Sequence, residues 1–107
     1  MNNNVSPYLS KLAKEKGFTD FKSKSLNGEY DICTHEDIAR WLRENHDIYI
    51  YVYPRYSASY ETLLYNFEIR KVSLVSSDKK VFKFKDWYEE YEEALDNVLI
   101  ASLEILL

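Results

Sequence analysis

Between Ile48 and Tyr53 the chain runs Ile-Tyr-Ile-Tyr-Val-Tyr, a strict alternation of β-branched and aromatic residues. A helix would scatter these side chains around its axis, whereas a strand sorts them onto two faces. The run therefore predicts a strand over 47–54 with Ile48, Ile50 and Val52 on one face and Tyr49, Tyr51 and Tyr53 on the other. The aliphatic face needs a covering layer. The tyrosine face, apolar with polar tips, serves either as a second core layer or as a binding surface, and both remain open at this point. Pro54 ends the strand or marks an edge, because it has no N–H for a ladder.

Two further strands follow from the same logic. From Tyr60 to about Val72, Leu63, Tyr65, Phe67 and Ile69 alternate with polar residues, with Leu64 out of phase. Ser76-Ser77-Asp78-Lys79 reads as a turn, and Lys80–Lys85 as a third strand with Phe82 and Phe84 inward. Upstream, Ser6-Pro7 opens a helix over 7–16: serine is a favoured N-cap, and proline fits the first helical position. Gly17 closes it. Phe18 and Phe21 read as anchors, Ser23–Gly28 as a polar loop with an Asn27-Gly28 turn, and Glu29–Cys33 as a short extended piece. Thr34 and Asp37 form a capping box, with Asp in place of Glu, ahead of Ile38, Ala39, Trp41 and Leu42 at helical spacing.

The last helix carries Tyr88, Tyr91, Leu95, Val98, Ser102 and Ile105 at steps of three and four, widened by Ala94, Leu99 and Leu106. It starts either at an Asp86/Glu89 capping box or later, near Glu90. The whole predicts one α+β domain over 1–107. Its plan is two-layer, a three-stranded antiparallel sheet packed by a long C-terminal helix, with two shorter N-terminal helices (α-α-β-β-β-α). Trp41 and Trp87 read as core or half-core anchors. Leu103, Ile105, Leu106 and Leu107 suit the core or a homodimer seam.

One cysteine, Cys33, leaves no internal disulfide. The N-terminus lacks the basic-then-apolar plan of a signal peptide, and no apolar run reaches the ~18 residues of a membrane span. The expected location is the cytoplasm, with no membrane partner. The net charge of −4 is unevenly spread: seven acids and no base follow Lys85, leaving 11 acids and 14 bases before it.

No phosphate-binding loop, dinucleotide fingerprint or nucleophile elbow occurs, and no cofactor or enzyme activity is expected. Cys33, His35, Glu36, Asp37 and His46 match no zinc spacing, and polar residues there are what a helix start requires. Two binding surfaces are candidates. The first, for a protein partner, combines Tyr49, Tyr51 and Tyr53 with the acids Glu89, Glu90 and Glu93. The second, for single-stranded nucleic acid, uses Arg70, Lys80, Lys83 and Lys85 beside outward tyrosines.

Three segments together, Lys11–Phe18, Trp41–Ile48 and Tyr91–Leu95 with the leucine-rich end, resemble a group of small uncharacterised proteins from phages and mobile elements of Bacteroidetes. The resemblance spans about residue 9 to the end. It departs at the tyrosine-rich strand and at Asp86-Trp87-Tyr88, and it lends no activity and no functional residues. It implies a short accessory protein that binds a host protein, inhibition of a host defence system in the manner of anti-CRISPR proteins being one version. The alternatives are a nucleic-acid-binding accessory and a small self-associating structural component.

Overall fold

The computed structural model describes residues 4–72, 79–83 and 87–107, with 79–83 described by backbone alone. The expected turn at 76–79 and the strand end at Phe84 and Lys85 lie largely outside these residues. The chain is α+β, as its patterning predicts. The elements run α1 (Pro7–Glu15), β1 (Ser23–Lys24), β2 (Asp31–Ile32), α2 (His35–His46), β3 (Ile48–Ser57), β4 (Thr62–Val72), β5 (Lys79–Lys83) and α3 (Tyr91–Leu106). The order differs from expectation by one insertion. The segment read as a polar loop folds back as a small antiparallel hairpin, Ser23 opposite Ile32 and Lys24 opposite Asp31.

Local chemistry sets the helix ends. The Ser6 hydroxyl accepts from the Leu9 N–H at 3.2 Å and Pro7 occupies the first turn. Gly17 follows at φ +109°, a conformation that costs glycine little. At α2 both halves of the capping box form: the Asp37 N–H donates to the Thr34 hydroxyl at 3.1 Å, and the Thr34 N–H donates to the Asp37 carboxylate at 3.0 Å. Replacing Thr34 by alanine orphans one of these donors, and urea denaturation is expected to show a loss of about 1 kcal/mol. No loss would mean that another group caps α2.

β3 and β4 form a ten-pair antiparallel ladder from Ile48–Lys71 to Ser57–Thr62 without a bulge, and β5 adds to the far side of β4. One sheet face carries Ile48, Ile50, Val52, Phe67 and Ile69, and it packs against α2 and α3. Leu9, Ala13, Phe18, Ile38, Leu42, Val98, Leu99 and Leu103 complete that core. Leu63 shares a face with Tyr65, Phe67 and Ile69, as the alternation predicts, and is exposed near the hairpin tip.

The last helix takes the later of its two expected starts, near Glu90, and its buried stripe keeps Ala94, Val98, Leu99 and Ser102 while differing at the ends. Tyr88 is still extended, exchanging both backbone hydrogen bonds with Tyr65, and the helix begins at Tyr91 with Glu90 as N-cap. Its buried residues are Ala94, Val98, Leu99, Ser102 and Leu103, while Tyr91 and Ile105 are exposed. Leu103 is fully buried and Leu106 and Leu107 are half-buried against the core, so this end closes the domain.

Candidate functional site

The face of the sheet opposite the helices carries the tyrosines. Side chains alternate along β3, so burial of Ile48, Ile50 and Val52 turns Tyr49, Tyr51 and Tyr53 outward. They remain 36%, 45% and 40% exposed. The N-terminal helix does not cover them. That settles the choice between second core layer and open surface in favour of the open surface.

Register fixes their neighbours. Tyr49 lies opposite Arg70, Tyr51 opposite Glu68 and Tyr53 opposite Asn66, so these β4 residues share the outer face. The Arg70 guanidinium sits 4.9 Å from the centre of the Tyr51 ring, and its Nε donates to the Glu68 carboxylate at 2.7 Å. Arg55, two residues beyond Tyr53, sits 5.6 Å from the centre of the Trp87 ring. Trp87 meets Tyr53 edge-on at 6.5 Å. Trp87 is therefore part of this surface and not a core anchor, because the extended backbone at Tyr88 turns its neighbour to the opposite side of the sheet. Beyond it, Arg55, Tyr56, Ser57, Ala58, Tyr60, Leu64 and Trp87 line an open hollow of about 450 Å³.

Of the acids expected to join the tyrosines in binding a protein, Glu90 and Glu93 lie elsewhere. Glu90 and Glu93 border a separate hollow of about 340 Å³, shared with Asn4, Ser6, Tyr30, His35 and Asp96, where the helices meet. Glu89 is exposed just before α3. The cationic set comes together in part, Arg70 and Lys83 holding register positions of the outer face. Arg70 joins the tyrosine face. Lys80 lies opposite Lys71 and Lys83 opposite Glu68 in the β4–β5 register, and Lys85 lies outside the described residues.

The helix junction holds a polar knot that no local spacing announces. Asp96 Oδ1 accepts from the Ser6 N–H at 2.9 Å and bonds His35 Nε2 at 3.1 Å, and Oδ2 accepts from the Ser6 hydroxyl at 2.6 Å. Burial pushes the Asp96 carboxyl up, but the hydrogen bonds from His35 and Ser6 outweigh it, and its pKa falls below the ordinary value. The order of contacts is not that of a nucleophilic triad, since the carboxylate sits between serine and histidine. Cys33 offers no nucleophile either: burial foremost, with nearby carboxylates, pushes its thiol up to about 12, so it stays protonated. Among the described residues, no group of three His, Cys, Asp or Glu side chains is placed to hold a metal ion, and no helix is long and apolar enough to cross a membrane.

Comparison with family models, with curated proteins and with solved structures returns no match.

Proposed function

We propose that this chain is a non-catalytic binding protein that engages a partner protein through the outer face of its sheet. One observation carries the reading: Tyr49, Tyr51, Tyr53, Trp87, Arg55 and Arg70 gather on a single face left open by the helices. Tyr, Trp and Arg are the residue types that concentrate binding energy at protein interfaces. They offer broad, rigid contact, and the two guanidiniums suit an acidic patch on the partner. The mobile-element resemblance supports a host protein as that partner, a host-defence effector being the specific version.

The separation of the tyrosines from Glu90 and Glu93 makes the reading testable. In pull-downs from host lysate after nuclease treatment, the wild type is expected to retain a specific protein. Replacing Tyr49, Tyr51 and Tyr53 together by serine is expected to weaken that capture at least about tenfold. Replacing Glu90 and Glu93 by lysine is expected to leave it in place. A serine variant that keeps its circular dichroism spectrum and its partner refutes the assignment.

A second reading is favoured by the arginines stacked on rings and by the lysines of β5 beside Arg70 and Lys71. Aromatic platforms beside cations bind single-stranded nucleic acid by stacking and phosphate contact. Recovery that vanishes with nuclease, and an affinity that falls steeply with salt, would favour it.

A further inference from the structure

Among the described residues β3 ends its sheet on one side, and which of its backbone groups face that edge follows from two observations. Tyr65 spends both its N–H and its C=O on Tyr88, on the far side of β4. Its partner Pro54 therefore lies at a non-hydrogen-bonded position of the β3–β4 ladder. The Val72 N–H donates to the Asp47 carbonyl, which places the β3–β4 bonds at the odd-numbered residues. Ile50 and Val52 thus direct N–H and C=O to the open edge, and Pro54 directs its carbonyl there.

Natural sheets guard such an edge with lysines, prolines or bulges. From Ile48 to Tyr53 this edge has no charge, no proline and an unbroken register. An added antiparallel strand must set even-numbered residues of β3 against residues that also point to the seam. For a second copy related by a two-fold axis, that restricts the axis to single-residue steps along β3. With the axis at Tyr51, Ile50 of each copy opposes Val52 of the other and exchanges both backbone bonds. Tyr49 then opposes Tyr53, and Asp47 opposes Arg55, so opposite charges meet at both ends of the seam. Moving the axis to Ile50 sets Arg55 against Asn45, and moving it to Val52 sets Asp47 against Ser57. Asp47 and Arg55 are both exposed, and neither has an ion-pair partner among the described residues.

We propose that β3 is a self-association edge, through which two copies of this chain pair antiparallel about a two-fold axis at Tyr51. The pairing continues one sheet into the other and sets the tyrosines of both copies on one surface. It stands independently of which partner that surface takes.

The expected solution behaviour is a mass that rises from monomer to dimer with concentration in sedimentation equilibrium. Tyr51→Lys sets two like charges together at the axis and is expected to raise the dissociation constant at least about tenfold. Tyr51 is exposed, so the fold is left alone. Directly opposed residues at a non-hydrogen-bonded position lie roughly 4.5 Å apart at Cα, within disulfide reach. Under mild oxidation Tyr51→Cys is therefore expected to form a covalent dimer. A mixture of Tyr49→Cys and Tyr53→Cys chains is expected to form the mixed dimer, and Tyr49→Cys alone is not. Buried Cys33 does not compete. A mass that stays monomeric up to the solubility limit, a dimer indifferent to Tyr51→Lys, or failure of Tyr51→Cys to cross-link would each overturn the proposal.

Discussion

Phe18→Ala is expected to lower the unfolding free energy by about 3–5 kcal/mol, the usual cost of emptying a buried aromatic site. Phe18 is 1% exposed and meets Phe21 edge-on at 5.0 Å and Trp41 at 5.6 Å. Its backbone is held as well, since the Phe18 N–H donates to the Ala13 carbonyl just past α1. The cavity left by alanine would open between α1 and α2, where fixed backbones on both sides limit collapse. Domains of this size are stable by roughly 5–15 kcal/mol in total, so the variant approaches the edge of folding. At about 4–8 °C per kcal/mol, thermal unfolding followed by circular dichroism should fall by at least about 12 °C. Phe21→Ala, at a half-buried ring, should cost clearly less. Equal losses for the two would contradict the burial assigned to Phe18.

The second large effect belongs to Asp96. Its carboxylate takes three hydrogen bonds, two from Ser6 and one shared with His35, and so fastens the starts of α1 and α2 to α3. Asp96→Ala leaves the Ser6 amide, the Ser6 hydroxyl and the His35 ring without their acceptor at a part-buried junction. The expected loss is about 3 kcal/mol. The pH dependence follows from the same contacts. The folded-state pKa lies below the ordinary value of about 3.9, so the ionised carboxylate favours folding. That contribution is present above pH about 4 and disappears as pH falls through the depressed folded value. The stability gap between wild type and Asp96→Ala should therefore narrow on acidification through that window. A gap independent of pH would mean that Asp96 contributes through shape alone.

Elements with a strong local signal were legible. Ser6-Pro7 and the Thr34/Asp37 pair mark α1 and α2 because capping is decided within four residues. The strict alternation at 48–53 marks β3 because six side chains repeat one pattern. Of the β1–β2 hairpin, the Asn27-Gly28 turn and the extended piece holding β2 were legible, whereas β1 and the pairing were not, since a strand of two residues carries no period. The buried face of α3 was legible at Ala94, Val98, Leu99 and Ser102 but not at its ends. Counting threes and fours from Tyr88 assumes a helix already under way, but Tyr88 is paired with Tyr65, and the phase that begins at Tyr91 buries Leu103 in place of Ile105.

The candidate site shows the same division. Exposure of the tyrosines could not be read from β3, because alternation says that two faces differ and not which neighbour covers each. The grouping of Tyr51 with Arg70 depends on a register set across a hairpin. Asp96 read as one more acid of the last helix, although its partners stand 90 and 61 residues earlier in the chain. Only the packing of all three helices brings these groups together.

The contacts between α1 and α3 also govern the order in which the molecule is made. Ser6 bonds Asp96, and the Tyr8 hydroxyl donates to the Glu104 carboxylate at 2.6 Å, so α1 is sealed by residues synthesised almost a whole chain later. Closing so long a loop carries its entropy cost before these contacts return anything. The core is therefore expected to close only when α3 docks, so that refolding is limited by contacts between distant parts of the sequence.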